Sequence, residues 1–117
     1  MIDVVLDTNV LVAAFRSSKG ASYQLLQLLE SRTWRPVVSP ALALEYEAVL
    51  KRGASEGDLY FRWRPALRDP DDDRILEVAV RTKAPIVTFN TRDFAGSERY
   101  GVSVMRPIEL LHLIERP

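Results

Sequence analysis

The sequence contains no cysteine and only one histidine, and these shortages exclude whole classes of site. Without cysteine the chain can form neither a disulfide nor a thiolate metal site. The single histidine, His112, cannot build a histidine-based zinc site, and its place among leucines indicates a packed or surface residue. A metal site in this chain would therefore be built from oxygen ligands.

Long apolar runs and a net charge are missing as well. No apolar stretch approaches the about 20 residues that span a membrane, and no basic-then-apolar leader is present. We therefore expect a cytoplasmic protein with no membrane partner.

Sixteen basic and sixteen acidic residues cancel, so no overall field draws the chain to nucleic acid. The nucleotide-binding motifs GxxxxGK[ST] and GxGxxG are also absent.

The chain has enough residues for one folded domain. Its 117 residues, 47 % apolar and 27 % charged, are typical of a globular protein with one core. Short apolar runs and helical patterns follow one another in the order β-α-α-β-α-(β)-α-β-β-α. This order predicts a single α/β domain over residues 1–117, with a mainly parallel sheet of four to five strands flanked by helices.

Several element boundaries are marked by particular residues. Pro36 interrupts a second strand at 34–38 and indicates either a sheet edge or the start of the strand, and Ser39 should cap a third helix over about residues 40–51. Ser22 is expected to cap the second helix. Two further strands are expected, a β-prone run at 59–63 and an outer strand at 102–104. A last helix should begin at Pro107. The fourth helix should face the sheet through Ile75, Leu76, Ala79 and Val80.

The first candidate site residue is Asp7. It follows an almost wholly apolar run, Val4–Leu6, that predicts a buried strand, and open α/β sheets bind ligands at the carboxyl ends of their strands. Thr8 and Asn9 are placed to fix the turn and orient the carboxylate. The alternative is that Asp7 serves only as a helix N-cap.

A second carboxylate, Glu45, lies on the inward stripe of the third helix, since it is spaced three and four residues from Leu42 and Val49. An inward glutamate needs a cation, a metal or a cleft, because burying a lone charge is costly. Glu47 is expected to face solvent. The alternative is that Glu45 lies at the margin of the stripe and reaches solvent.

Acidic residues also begin the fourth helix, in the segment Asp69-Pro70-Asp71-Asp72-Asp73. Capping explains one or two of them but not all, because crowded like charges oppose folding unless cations gather there. Asp72 leads the apolar face and is chosen as the inward acid, with Asp73 second. Asn90 and Asp93 then follow the apolar strand 86–88, in the position that Asp7 has after the first strand.

Together Asp7, Glu45, Asp72, Asn90 and Asp93 form an oxygen-only set at predicted strand ends and helix starts. Hard oxygen ligands select Mg²⁺ or Mn²⁺. Such ions can activate water and stabilise both the attacking and the leaving oxygen of a phosphodiester.

Four segments, taken in order, resemble the PIN-domain ribonucleases, in particular the VapC-like toxins of prokaryotic toxin–antitoxin pairs. They are Val5-Leu6-Asp7-Thr8-Asn9-Val10-Leu11, Glu45-Tyr46-Glu47-Ala48-Val49-Leu50, Arg68-Asp69-Pro70-Asp71-Asp72 and Ile86-Val87-Thr88-Phe89-Asn90-Thr91-Arg92-Asp93-Phe94. The resemblance implies a metal-dependent endonuclease for single-stranded RNA, with Asp7, Glu45, Asp72 and Asp93 as the acidic set. It also implies an antitoxin partner that enters the cleft, and a homodimer. Arg68 and Arg92 are the candidates for contact with the RNA backbone.

Two departures keep a second reading open. Many members of the family carry an aspartate where this chain has Asn90, so the site loses one charge. The stretch between Leu50 and Arg68 is also shorter than usual in the family. Both favour a degenerate module that binds RNA or a protein without cleaving. A third reading, a small phosphatase, can be tested with a generic phosphomonoester.

Overall fold

A computed structural model describes residues 1–55 and 74–115 of the chain. Within them, four strands form one sheet in which every neighbouring pair is parallel. The strands are β1 (Ile2–Leu6), β2 (Trp34–Pro36), β3 (Ile86–Val87) and β4 (Val104–Met105), and their order across the sheet is β2-β1-β3-β4. The predicted α/β class with a parallel sheet flanked by helices is therefore confirmed.

The helices connect these strands in the manner of an α/β fold. They are α1 (Thr8–Arg16), α2 (Ala21–Gln27), α3 (Pro40–Ser55), α4 (residues 74–82) and α5 (Pro107–Glu115). Short 3-10 helices lie at Leu29–Ser31, Thr91–Phe94 and Ser97–Tyr100. Among the helices of the described ranges, none is long and apolar enough to cross a membrane.

The core is built on β1 and β3. The last three residues of β1 and both residues of β3 are buried, as expected for central parallel strands covered on both faces. Trp34 at the start of β2 is also buried, and its indole N–H donates a hydrogen bond of 2.8 Å to the carbonyl of Leu25 in α2. This bond fixes α2 to the edge of the sheet.

The order of the strands creates one switch point. From β1 the chain passes to β2 on one side, and then crosses over β1 to reach β3 and β4 on the other. In open α/β sheets a ligand crevice forms at the carboxyl ends of the strands where this reversal occurs. The switch point here lies between the ends of β1 and β3, that is, between Leu6 and Val87.

Most predicted boundaries agree with the structure. Ser39 caps α3, where its hydroxyl accepts a hydrogen bond of 3.1 Å from the backbone N–H of Leu42. β2 is an edge strand, one of the two alternatives that Pro36 indicated, although it ends there instead of at residue 38. The last helix begins at Pro107 as expected, and His112 within it is exposed.

Three expectations were wrong. Ser22 does not cap α2, because it lies inside the helix and the N-cap position is held by Gly20. Val80 is exposed, and Val78 instead completes the buried face of α4. The outer strand β4 lies at Val104–Met105, two residues beyond the predicted start. The β-prone run 59–63 lies outside the described residues.

Candidate functional site

Asp7 lies at the switch point of the sheet. It directly follows β1, its backbone N–H donates to the carbonyl of Val87 at 2.9 Å, and the residue is only 5 % exposed. It occupies the N-cap position of α1, yet its side chain makes no capping hydrogen bond. The side chain therefore does not cap the helix through a hydrogen bond, while the carboxylate lies at the positive end of the helix dipole.

Thr88 holds the carboxylate of Asp7 from the neighbouring strand. Its hydroxyl donates a hydrogen bond of 2.6 Å to Oδ2 of Asp7 and accepts one of 3.0 Å from the backbone N–H of Asn90. Thr88 is completely buried, so this hydroxyl is fixed both as donor and as acceptor. On the other oxygen, Oδ1, the hydroxyl of Thr8 makes a longer contact of 3.4 Å.

Asn9 lies two residues after Asp7, in the first turn of α1. The residue is buried, and within the described ranges neither its Oδ1 nor its Nδ2 has a hydrogen-bond partner. Burying an amide without partners costs on the order of 1–3 kcal/mol by mutational measures. A buried polar group without a partner calls for an explanation, and a bound ion is one.

Helix α3 is attached to the end of β1 by Tyr46. Its hydroxyl donates a hydrogen bond to the carbonyl of Leu6, the residue directly before Asp7. The side chain of Glu45, next to Tyr46, is 15 % exposed and forms an ion pair of 2.8 Å with Arg74 of α4. The inward glutamate therefore has a cationic partner, as the cost of burying its charge requires.

Glu47 differs from Glu45 in the way that the sequence predicted. It is exposed and pairs with Lys51 one turn later at 2.9 Å. The hydrogen bond from Lys51 holds the pKa of the Glu47 carboxyl below its usual value. On β1, the hydrogen bond from Arg35 likewise lowers the pKa of Asp3, at the strand end away from Asp7. Both are surface pairs, and they are useful controls for Asp7 and Glu45, which are less exposed.

Asn90 and Asp93 follow β3 but differ in their surroundings. The N–H of Asn90 binds Thr88, which brings residue 90 into the same hydrogen-bonded group as Asp7. Asp93 is partly buried in the 3-10 helix Thr91–Phe94 and lines a separate cleft. Arg92 in the same helix is exposed.

The structure brings part of the predicted set together. Asp7, Thr8, Thr88 and the backbone N–H of Asn90 are joined by hydrogen bonds at the switch point, and Asn9 follows in the first turn of α1. Asp72 and Arg68 lie outside the described residues. Within the described ranges, no three acidic or histidine side chains form a group that could hold a metal ion.

The donors at the switch point nevertheless agree in kind with a hard divalent cation. They are the carboxylate of Asp7, which accepts a hydrogen bond from the hydroxyl of Thr88, and the amide oxygen of Asn9, which has no partner in the described ranges. Carboxylate and amide oxygens are the ligands that such cations prefer. Asp7 is thus the residue around which an ion would be held, with the amide of Asn9 two residues later in the chain.

The sequence interpretation did not assign a site role to Thr88 or Tyr46. Thr88 ends an apolar run in the way that Asp7 does, and this parallel between two strand ends is the signal that could have identified it. Tyr46 is four residues after Leu42 on the same buried stripe, so the spacing predicts only that its ring packs in the core. Only the fold shows that its hydroxyl reaches β1.

A family model described as "PIN domain" matches residues 3–92, which is more than half of the chain. The matched range contains Asp7, Glu45, Thr88 and Asn90 and ends one residue before Asp93. No curated protein and no solved structure matches the chain. The PIN domain is a nuclease-type fold, and PIN-domain nucleases generally use divalent metal ions.

Proposed function

Since the chain belongs to the PIN-domain family, we propose that it is a Mg²⁺- or Mn²⁺-dependent endonuclease that hydrolyses phosphodiester bonds in single-stranded RNA. The observation that carries the proposal is the position of Asp7. A carboxylate is buried at the switch point of a parallel sheet and held there by a hydroxyl from the next strand. This carboxylate and the amide oxygen of Asn9 suit these ions.

Each predicted site residue has a role in this proposal. Asp7, Glu45 and Asp72 hold the ion, and Asn90 and Asp93 are outer ligands or ligands of a second ion. The ion supplies an activated water and charge stabilisation at the phosphate. Thr8 and Asn9 orient the carboxylate of Asp7, and Arg68 and Arg92 contact the RNA backbone.

The exposed position of Arg92 supports its role. Glu45 is supported by its low exposure and by Tyr46, which holds α3 at the end of β1.

The biological setting follows from the resemblance to VapC-like toxins. In this setting residues 1–117 act as one domain in the cytoplasm, and a small antitoxin blocks the cleft. A homodimer is part of the same proposal. The exposed apolar side chains of Phe15 on α1 and Leu44 on α3 support it, because these two helices pack against each other.

The test is cleavage of a labelled single-stranded RNA in the presence of Mn²⁺, Mg²⁺ or EDTA. Wild type should cleave with either ion and not in EDTA, and Asp7→Asn should abolish cleavage while leaving the fold intact. Asp3→Asn is the matched control, because it makes the same change on the same strand at an exposed surface pair. Activity that survives Asp7→Asn would refute the proposed site.

The second candidate is a catalytically degenerate module that binds RNA or a protein without cleaving. Asn90, in place of an acid, favours it, because the site then has one negative charge fewer. Calorimetric titration with Mn²⁺ separates the two candidates. The nuclease requires a binding heat that disappears in Glu45→Gln, whereas the binding module does not.

A further inference from the structure

A cleft follows β3 along the chain, and of its lining residues only Asp93 has a role in the proposed metal site. It is formed by the 3-10 helices Thr91–Phe94 and Ser97–Tyr100 together with Leu76 of α4. Its volume is about 270 Å³, close to the lower limit of about 300 Å³ for small-molecule sites. The cleft has room for one nucleotide-sized group and is too small for a folded partner.

One wall of the cleft combines an aromatic ring with an arginine. Tyr100 is 60 % exposed, so one face of its ring is open to a ligand. Arg99, its neighbour, is also exposed, and within the described ranges it forms no ion pair with an acid. Both side chains line the cleft.

Gly96 keeps the side chain of Arg99 against this wall. The glycine has a φ of +90°, a conformation that other residues rarely adopt, and a Cβ placed there would lie 3.8 Å from Nε of Arg99. The guanidinium end of Arg99 therefore lies next to Gly96 at the edge of the cleft while remaining accessible to solvent. This pre-positions a cation at the cleft and reduces the entropy that a ligand must offset.

The cleft is connected to the candidate site through the segment after β3. Asp93, which lines the cleft, donates its backbone N–H to the carbonyl of Asn90 at 3.0 Å. Asn90 in turn donates to Thr88, which holds Asp7. The segment that follows β3 thus joins the group around Asp7 to one wall of the cleft.

We propose that this cleft is a nucleotide subsite, in which one base of a single-stranded RNA stacks on Tyr100 and an adjoining phosphate pairs with Arg99. The inference rests on the proposed function and extends it to how the substrate is held. Stacking on an aromatic ring beside an arginine is the usual way in which proteins hold single strands without regard to sequence. The carboxylate of Asp93 repels the phosphate toward the Arg99 side of the cleft.

A second depression indicates where the RNA strand would continue beyond the first cleft. It has a volume of about 350 Å³ and shares Leu76 and Tyr100 with the first cleft, and Val80 on α4 extends it. The exposed valine and the tyrosine offer an apolar surface to a neighbouring base. A free phosphate or a lone nucleotide would not fill both depressions, whereas an RNA strand of several nucleotides would.

The experiment measures the binding of a labelled single-stranded RNA by fluorescence anisotropy in EDTA, where cleavage does not interfere. Tyr100→Ala should weaken binding by about 5- to 150-fold, and Tyr100→Phe, which keeps the ring, by less than about 2-fold. Arg99→Ala should reduce the slope of log affinity against log salt by about 0.7. An oligomer of the same length without bases should bind wild type and Tyr100→Ala equally.

Leu29→Ala and Arg32→Ala are the controls, because they remove an exposed apolar side chain and an exposed arginine just before β2, at the opposite end of the strands from Asp7. They should leave RNA binding unchanged. Wild-type RNA affinity in both Tyr100→Ala and Arg99→Ala would overturn the subsite. An equal loss of RNA affinity in the controls would also overturn it. So would a Tyr100→Ala variant that binds RNA normally but no longer binds a protein partner.

The two proposals fail separately. Metal-dependent cleavage by a protein whose RNA affinity is indifferent to Tyr100 would overturn the subsite alone. Tyr100-dependent binding without cleavage in Mn²⁺ would support the subsite and overturn the nuclease.

Discussion

The hydroxyl of Thr88 donates a hydrogen bond of 2.6 Å to Oδ2 of Asp7, and it joins two strand ends that are 81 residues apart in the sequence. The bond connects a fully buried donor to an almost fully buried carboxylate. In such surroundings a hydrogen bond to a charged acceptor is stronger than one in water, and it also fixes the direction of the acceptor. The position of Asp7 is therefore determined by the fold and not by its neighbours in sequence alone.

Thr88→Val is expected to lower both stability and activity. The substitution keeps the shape of the side chain and removes the donor, so the free energy of unfolding should fall by about 1.5–3 kcal/mol. Because Thr88 positions Asp7 and does not touch the substrate, the loss in cleavage should appear in kcat and not in KM. Thr88→Ser restores the hydroxyl and should recover most of both, and if it does not, the hydrogen bond is not the cause.

Tyr46→Phe should loosen the attachment of α3 to β1. The variant removes the hydroxyl that binds the carbonyl of Leu6 and keeps the buried ring. We expect a loss of about 1 kcal/mol in urea unfolding. Tyr23→Phe is the matched control, since Tyr23 lies in α2 with its side chain partly buried. Equal effects of the two substitutions would contradict the assignment.

Glu45→Gln and Glu47→Gln separate a site role from an ordinary ion pair. Both glutamates lie on α3 and pair with a cation, but only Glu45 is largely buried. Neither change should alter stability by more than about 1 kcal/mol, because both partners are partly exposed. Cleavage should fall by on the order of 100-fold or more in Glu45→Gln and remain unchanged in Glu47→Gln. A similar small loss in both would remove Glu45 from the site.

Asn9→Leu should separate stability from function. The amide of Asn9 has no partner within the described ranges, so an apolar side chain of similar size should raise the free energy of unfolding by about 1 kcal/mol. Calorimetry should at the same time show weaker binding of Mn²⁺, because an oxygen donor of the proposed site is lost. A destabilised variant with unchanged Mn²⁺ affinity would show that the amide serves the fold instead.

The sequence predicted the parts of this structure that depend on local pattern. An apolar run that ends in Asp7 sufficed to place a carboxylate at the end of a central strand, and Pro36 indicated the edge strand as one of two alternatives. The spacing of Leu42 and Val49 placed Glu45 on the buried side of α3. Such features follow from the alternation of apolar and polar residues and need no tertiary contact.

The remainder depends on contacts between distant segments. The role of Thr88 requires β3 to lie beside β1, and the partner of Glu45, Arg74, is 29 residues away. On α4 the choice between Val78 and Val80 was wrong because both fit an apolar stripe beside Ile75 and Ala79. Only the packing of the helix against the core selects between them.

The central claim, that Asp7 at the switch point is where a divalent ion binds, is tested most directly by Mn²⁺ line broadening of backbone amide NMR signals. Among the described residues, we expect the signals of residues 7–9 and 88–90 to broaden first, and those near Arg16, at the far end of α1, to remain sharp. Asp7→Asn should remove this pattern, and Asp3→Asn should not. Broadening centred on surface acids such as Glu30 or Glu98, and unchanged in Asp7→Asn, would contradict the account.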